Sequence, residues 1–322
     1  MPQTLSFIIC TESGKLEQLS ILLARSIRRF GGSHRDAPIF SFQPRPGPGI
    51  CKSTSRQFEE VGVVHRAVPL NCEYADYPVA NKPLTAAHAE QNVESDFLAF
   101  LDSDQVMLNE PPLLVLPEDY DVGIRPVAMK GVGTGGSQDP NHPYWEKLYA
   151  LVGADEHEYM TSVVDKQRIL SYFNSGLVTA RRSAGVFASW ASNFRKVMQD
   201  GLRPPPGVFY VEQSSLAATI AGARARVLIL PESYNYPMNL QDRIDPADRI
   251  IDVKALVTAH YHGKRSLIDM VEANTTINPD VSDWFRRQID SLGISPRTVR
   301  GRLTHLKHKL RQHVSRRRRR AS

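Results

Sequence analysis

Asp102 and Asp104 stand two residues apart, directly after the apolar run Phe97-Leu98-Ala99-Phe100-Leu101, with only Ser103 between them. On an extended backbone, residues i and i+2 face the same side, so the two carboxylates converge. Like charges at the edge of a buried strand are costly through repulsion and through lost solvation. Three arrangements relieve that cost. The pair can grip a divalent cation with hard oxygens. One carboxylate can act as a nucleophile on phosphorus beside a cation. In the plainest case, an aspartate caps the turn that follows the strand.

The elements that would position this pair read as alternating strands and helices. "TLSFIIC" is a strand, and Leu16, Leu19, Leu22, Leu23, Ile27 and Phe30 recur at helical spacing until Gly31 and Gly32 end the pattern. "APIFSF" gives a second strand, "QPRPGPG" a loop, residues 53–60 a polar helix and "VGVVHRA" a third strand. A helix over residues 83–93 precedes the aspartate-bearing strand. This alternation predicts an α/β fold with a largely parallel sheet and right-handed crossovers. Ligands on such sheets collect at the carboxyl ends of the strands, where Thr11, Glu12, Asp102 and Asp104 fall. Beyond residue 110 the pattern loosens. Strands are expected at "YDVGIRPVA", "SYFNSGLVTARR", "RVLILP" and "VKALVTAHYH", and helices at "YWEKLYALVG", 183–198 and 212–221. "GVGTGGS" spells G-x-G-x-x-G, but "SQDPNHP" follows it and cannot open an amphipathic helix, so a loop closing over ligands fits better than a dinucleotide site.

Two enzyme classes carry an apolar strand ending in D-x-D. "FLDSDQV" resembles the motif of haloacid-dehalogenase-type phosphatases, which would make Asp102 a nucleophile. That motif normally opens its fold, whereas three strand units precede it here, and no downstream acidic pair follows a lysine. The other class is the GT-A glycosyltransferases. "YFNSGLVTARRS" resembles the F-N-[SA]-G strand start of glycosyltransferase family 8, the glycogenin-like and galactosyltransferase-like retaining enzymes. "VEQSSL" resembles their D-Q-x-x-L helix start, "TAHYHGK" their H-x-x-G, and "NKPLTAAHAE" the lysine-bearing helix start of related enzymes. The motifs occur in the family's order between Leu5 and Leu267.

The resemblance implies a GT-A fold: a Rossmann-like mixed, mainly parallel sheet flanked by helices. It implies a metal-dependent, retaining transfer of sugar from a nucleotide-diphospho-sugar to an acceptor hydroxyl. Asp102, Asp104 and His260 would hold the metal, His262 being the competitor of His260. Two carboxylates and an imidazole with open positions suit Mn²⁺, with Mg²⁺ as the alternative. Asn174, Glu212 and Gln213 would line the reacting centre. Thr11, Glu12, Lys82, Ser103, Gly263 and Lys264 would meet the nucleotide and its phosphates. This chain departs from the family at Glu212, where an aspartate is usual, at Ala217, and at Ser266, Leu267 and Ile268, which stand where Lys, Pro and Trp usually follow H-x-x-G.

Forty Lys and Arg against 34 Asp and Glu give a net charge of +6, and that sum hides a division. Residues 291–322 hold eleven basic and no acidic side chains, so the body carries 29 basic against 34 acidic, about −5. The predicted organisation is a catalytic domain over 1–290, with a nucleotide-binding half (1–110) and a sugar and acceptor half (111–270), then a basic amphipathic tail over 291–322. Leu303, Leu306, Leu310 and Val314 stripe that tail ahead of the five arginines 316–320. An anionic membrane surface is its expected partner; a solvated tail is the plain alternative, and a nucleic-acid partner is disfavoured. The acceptor would be a carbohydrate, a lipid-linked molecule or a protein. Three cysteines without metal-site spacing predict buried free thiols, and the absence of a signal pattern or long apolar run predicts a cytoplasmic protein, peripheral to the inner membrane face at most.

Overall fold

A computed structural model describes residues 3–155 and 157–294. The chain divides into two compact units, the first ending at His262 and the second beginning at Gly263. The basic tail expected over 291–322 lies almost wholly outside the described residues.

In chain order the first unit comprises β1 (Leu5–Cys10), α1 (Lys15–Phe30), β2 (Ile39–Gln43), α2 (Lys52–Glu60), β3 (Val63–Ala67), α3 (Asn81–Asn92), β4 (Phe97–Leu101), β5 (Gln105–Met107), β6 (Val122–Pro126), α4 (His142–Val152), β7 (Tyr159–Thr161), β8 (Arg168–Leu170), β9 (Phe173–Arg181), α5 (Val186–Asp200), α6 (Val211–Gly222), β10 (Val227–Ile229), β11 (Tyr236–Pro237) and β12 (Thr258–His260). The second unit holds α7 (Lys264–Ala273) and α8 (Pro279–Ser291).

Seven strands form the main sheet in the order β10-β6-β9-β4-β1-β2-β3. All run parallel except β9, which opposes both β4 and β6. The central strands are nearly continuous apolar runs because both faces are covered. Ile8, Phe42, Leu98 and Phe100 join a core with Leu84, Trp145, Trp190 and Leu216 from α3, α4, α5 and α6. Phe7, Ile9, Ala99 and Leu101 point the other way by the two-residue period and are equally buried. Burying a phenylalanine such as Phe7 or Phe100 contributes about 1.5–3 kcal/mol. A one-residue slip would turn these side chains to the wrong face, so the register is firmly set.

The chain reverses its strand order between β1 and β4: β2 and β3 build outward on one side, and β4 returns to the other. Such a switch opens a crevice at the carboxyl ends of the two strands. Across it, Ser103 Oγ donates to the Cys10 carbonyl at 2.6 Å.

The structure departs from the sequence reading in several places. The segment expected as one long strand at "VKALVTAHYH" is a 3₁₀ turn (Val253–Ala255) and then only β12. β12 does not extend the main sheet. It forms a small second sheet, β11-β12-β5, in which His260 lies opposite Gln105. A β7–β8 hairpin and the helices α7 and α8 were not read from the pattern at all. The cysteines are free, yet Cys51 and Cys72 are exposed and Cys10 half-buried, so the expectation of buried thiols is corrected.

Candidate active site

The D-x-D segment forms the turn between β4 and β5, closed by Gln105 N donating to the Asp102 carbonyl at 3.2 Å. β9 fixes it from the side. Leu101 pairs with Leu177, which places Gly176 opposite the turn, and its carbonyl accepts from Asp102 N at 2.8 Å. Gln105 Nε2 donates to the same carbonyl. Tyr261 N donates to the Asp104 carbonyl at 3.1 Å, so the end of β12 is stitched to the turn as well.

These joins bring His260 Nε2 to 3.1 Å from Asp104 Oδ1 and 3.8 Å from Asp102 Oδ2. Which nitrogen of His260 carries the proton follows from a chain of side chains. Gly176 N, an unambiguous donor, gives its hydrogen to Asn174 Oδ1 at 2.9 Å. The Asn235 amide group facing that same oxygen at 2.9 Å must therefore be its Nδ2. Asn235 Oδ1 is then left to accept from His260 Nδ1 at 3.1 Å, with Gln105 Nε2 also donating to it at 3.3 Å. Neutral His260 thus carries its proton on Nδ1 and turns a lone pair on Nε2 toward a carboxylate. A lone pair and a carboxylate oxygen 3.1 Å apart repel unless a cation or a proton lies between them. That is close to the separation of neighbouring ligands on an octahedral ion with bonds of about 2.1 Å, so the donor set fits a divalent metal.

His262 sits beside this pair, its ring stacked on His260 with centroids 3.6 Å apart. Burial and the neighbouring His260 push it down to about 4. Burial works against the Asp104 charge, but with a proton between the two groups in place of an ion, the hydrogen bond and charge of His260, with Lys82 nearby, hold that carboxyl well below the usual range.

Lys82, in the first turn of α3, reaches Asp102 Oδ2 at 2.7 Å and Ser175 Oγ at 3.3 Å. Desolvation works against its ammonium group, but Asp102, Glu212 and Asp104 around it raise its pKa above the ordinary value. Ser175 Oγ in turn donates to Glu212 Oε2 at 3.2 Å, while Glu212 Oε1 is buried and finds no partner among the described residues. Burial pushes Glu212 up to about 7, Lys82 and the Ser175 hydrogen bond pulling against it and Asp102 adding to it. One cationic group thus bridges two carboxylates in a cleft of about 640 Å³, within the size range of small-molecule sites.

Of the residues expected at the site, Glu12, Lys82, Asp102, Ser103, Asp104, Asn174, Glu212, Gln213 and His260 all line this one cleft. Glu12 is already engaged: Arg45 Nε donates to it at 2.7 Å and Asn81 Nδ2 at 3.0 Å. Thr11 is not at the cleft wall. Its hydroxyl is fully buried, bonding Ser20 Oγ at 2.7 Å and accepting from Ser41 Oγ at 2.8 Å, so the core takes up the side chain expected to meet the nucleotide. Gly263 and Lys264 open α7 in the second unit.

Three contributors were missed. Asn235 orients His260, and it does so from the left-handed region at φ 47°, which asparagine tolerates better than most residues. Arg125, a buried side chain, donates from Nη1 to the carbonyls of Glu232 and Tyr234 at 3.0 and 2.9 Å and so secures the loop that presents Asn235. Ser175 links Lys82 to Glu212. The sequence offers only a faint signal for these, since their partners lie far along the chain.

A search of curated proteins finds no match. Among solved structures, one titled as the apo structure of WbbM, a bifunctional glycosyltransferase, is similar with a TM-score of 0.53 at 14% identity. The likeness covers 89% of this chain and 52% of that one, so the chain spans about half the length of that protein, and what is shared is the fold. The sequence model of the Rhodobacterales glycosyltransferase domain matches residues 7–224. This stretch covers well over half the chain and runs from β1 through α6, with Asp102, Asp104, Asn174 and Glu212 inside it and His260 beyond it. The chain therefore belongs to the Rhodobacterales glycosyltransferase domain family and is a glycosyltransferase.

Proposed function

We propose that the cleft carries out metal-dependent, retaining transfer of a sugar from a nucleotide-diphospho-sugar to an acceptor hydroxyl. The observation that carries this reading is the His260 Nε2 lone pair aimed at Asp104 Oδ1 from 3.1 Å, beside Asp102. A divalent cation between these groups would satisfy both, Mn²⁺ by the mixture of imidazole and carboxylate, with Mg²⁺ as the alternative. Bound there, the ion would neutralise charge on the departing diphosphate.

The remaining work falls to the protein's own groups. Lys82 stands with its ammonium in the same cleft and offers the diphosphate a second positive charge. Glu212 Oε1, buried and without a partner among the described residues, is suited to accept from a donor-sugar hydroxyl, which would satisfy it. Asn174 Oδ1 is already taken by Gly176 N and Asn235 Nδ2, so only its amide nitrogen is offered to substrate. Gln213 follows Glu212 at the cleft wall, where the family 8 resemblance puts the reacting face of the sugar. In a retaining reaction of that kind, the acceptor hydroxyl enters on the face the diphosphate leaves. The leaving phosphate oxygen takes its proton, and no side chain serves as nucleophile.

Asp102 makes a poor nucleophile on phosphorus with Oδ2 held by Lys82 at 2.7 Å, and the family is one of glycosyltransferases. No helix among the described residues is long and apolar enough to cross a membrane. A lipid-linked or envelope acceptor, reached through the basic tail at an anionic surface, is the acceptor class proposed. Calorimetric titration with a panel of nucleotide sugars, with and without Mn²⁺, tests the donor reading. Binding is expected for one base, Mn²⁺-dependent and lost in Asp104→Asn; no Mn²⁺-dependent binding to any of them would sink it.

A further inference from the structure

His262 is held in an unusual way. β12 ends at His260, and the chain then turns so sharply that His262 takes φ 52°, in the left-handed region. Residues with a Cβ enter that region at a steric cost, and such strain gathers at functional sites. The turn brings the ring back onto His260, face to face at 3.6 Å and 28°. Among the described residues, Asp104, His260 and His262 each offer a ligand atom, and the three atoms all lie within 4.8 Å of one another, inside the reach of one cation. Asp102 is differently disposed, its Oδ2 ion-paired with Lys82.

We infer that His262 is a metal ligand alongside Asp104 and His260, so that a second imidazole joins the first on the ion. This rests on the reading that the cleft takes a divalent cation, and it adds a ligand which that reading does not need. The consequence is chemical selectivity. Two imidazole nitrogens favour first-row transition metals such as Mn²⁺ over Mg²⁺, which prefers all-oxygen sites. The left-handed turn at His262 is the conformation in which its ring lies against that of His260, within reach of the same ion.

The test is pulsed electron paramagnetic resonance of Mn²⁺ added alone to the full chain, counting directly bound imidazole nitrogens through their ¹⁴N modulation. The wild type is expected to show two, and His262→Asn one. Asparagine suits φ 52° and lacks the ring, so this variant should fold, with a melting temperature without metal at or above that of the wild type. Its Mn²⁺ dissociation constant should rise by roughly tenfold or more, the scale seen when a metal site loses support, while Mg²⁺ binding changes little. One imidazole nitrogen in the wild type, or unchanged Mn²⁺ affinity in His262→Asn, overturns the inference. Failure of the functional reading looks different: two nitrogens on Mn²⁺ with no nucleotide sugar bound would leave the metal site standing, and transfer with one nitrogen would remove His262 alone.

Discussion

Gly176→Ala is the substitution that most sharply probes how the site is built. A Cβ placed on Gly176 would fall 2.5 Å from His260 Cε1, 2.7 Å from its Nδ1 and 2.9 Å from Asn174 Oδ1. Carbon atoms pack at about 3.5–4.0 Å, so the imidazole would have to retreat by about 1 Å. It has little room. Nδ1 is held by Asn235, Nε2 faces Asp104, and His262 covers one face of the ring. Nor can the backbone give way, because Gly176 N bonds Asn174 and its carbonyl takes both Asp102 N and Gln105 Nε2. Overpacking of this kind costs about 1–3 kcal/mol of stability. A displacement near 1 Å at a reacting centre costs on the order of 10²-fold in rate. The assays are thermal unfolding, Mn²⁺ titration and metal-dependent turnover, with Gly123→Ala as control. A Cβ there would meet Leu116 Cδ2 and Thr179 Cγ2, both at 2.7 Å, so it overpacks the core away from the cleft. The expected result is similar destabilisation of both variants, with Mn²⁺ affinity and turnover lost only in Gly176→Ala. Wild-type metal affinity and turnover in Gly176→Ala would refute the placement of His260 as a ligand.

Other expectations follow from the same geometry. Asn235→Leu removes the acceptor that fixes the His260 tautomer and should weaken Mn²⁺ binding by about 10–100-fold, whereas Asn235→Asp keeps that acceptor and should retain most of it; calorimetry with Mn²⁺ alone distinguishes them. Glu212, raised from 4.5 to about 7 in the folded protein, binds a proton on folding. Its contribution is fully present below about pH 4.5 and is lost as pH rises through about 7, worth roughly 1–3 kcal/mol. Glu212→Gln should flatten that part of the stability profile, read by denaturant unfolding at pH 4.5 to 8. Glu17 accepts from Gly14 N at 2.7 Å and Cys51 N at 2.9 Å, clamping the loop before α2 to the start of α1. Although desolvation opposes it, those bonds and Thr54 hold its carboxyl down to about 2, so its contribution is present above about pH 4.5 and lost as pH falls through about 2. Glu17→Gln should lower the unfolding free energy at pH 7 by about 1–3 kcal/mol with metal binding intact.

Much of the first half of the fold was legible because its signals are local. The apolar runs of β1 and β4, the leucine spacing of α1 and the D-x-D at a strand end all sit within a few consecutive residues. The direction of β9 was not, since a two-residue period looks the same for parallel and antiparallel pairing. The second sheet was hidden too: β5 and β12 are three residues each, too short for periodicity to speak. The site divides the same way. Asp102 and Asp104 stood out as carboxylates at the end of an apolar strand, Glu212 and His260 only through the resemblance of "VEQSSL" and "TAHYHGK" to family 8 motifs, and the structure lines one cleft with all four. Asn235 gave no such sign within "SYNYP". Its importance comes from partners 61 and 25 residues away, Asn174 and His260. Thr11 misled for the opposite reason: its place at the end of β1 suggested the crevice, but the side chain turns into a hydroxyl network in the core.

Release of nucleoside diphosphate reads out metal-dependent glycosyl transfer at the Asp102–Asp104–His260 group without knowledge of the acceptor. Purified protein would be incubated with each common nucleotide sugar, with Mn²⁺ or with chelator, beside Asp104→Asn. Mn²⁺-dependent release of diphosphate is expected from one donor class, abolished by chelator and by Asp104→Asn. Release that persists in chelator, or no release from any donor while a generic phosphomonoester is cleaved through Asp102, would contradict it.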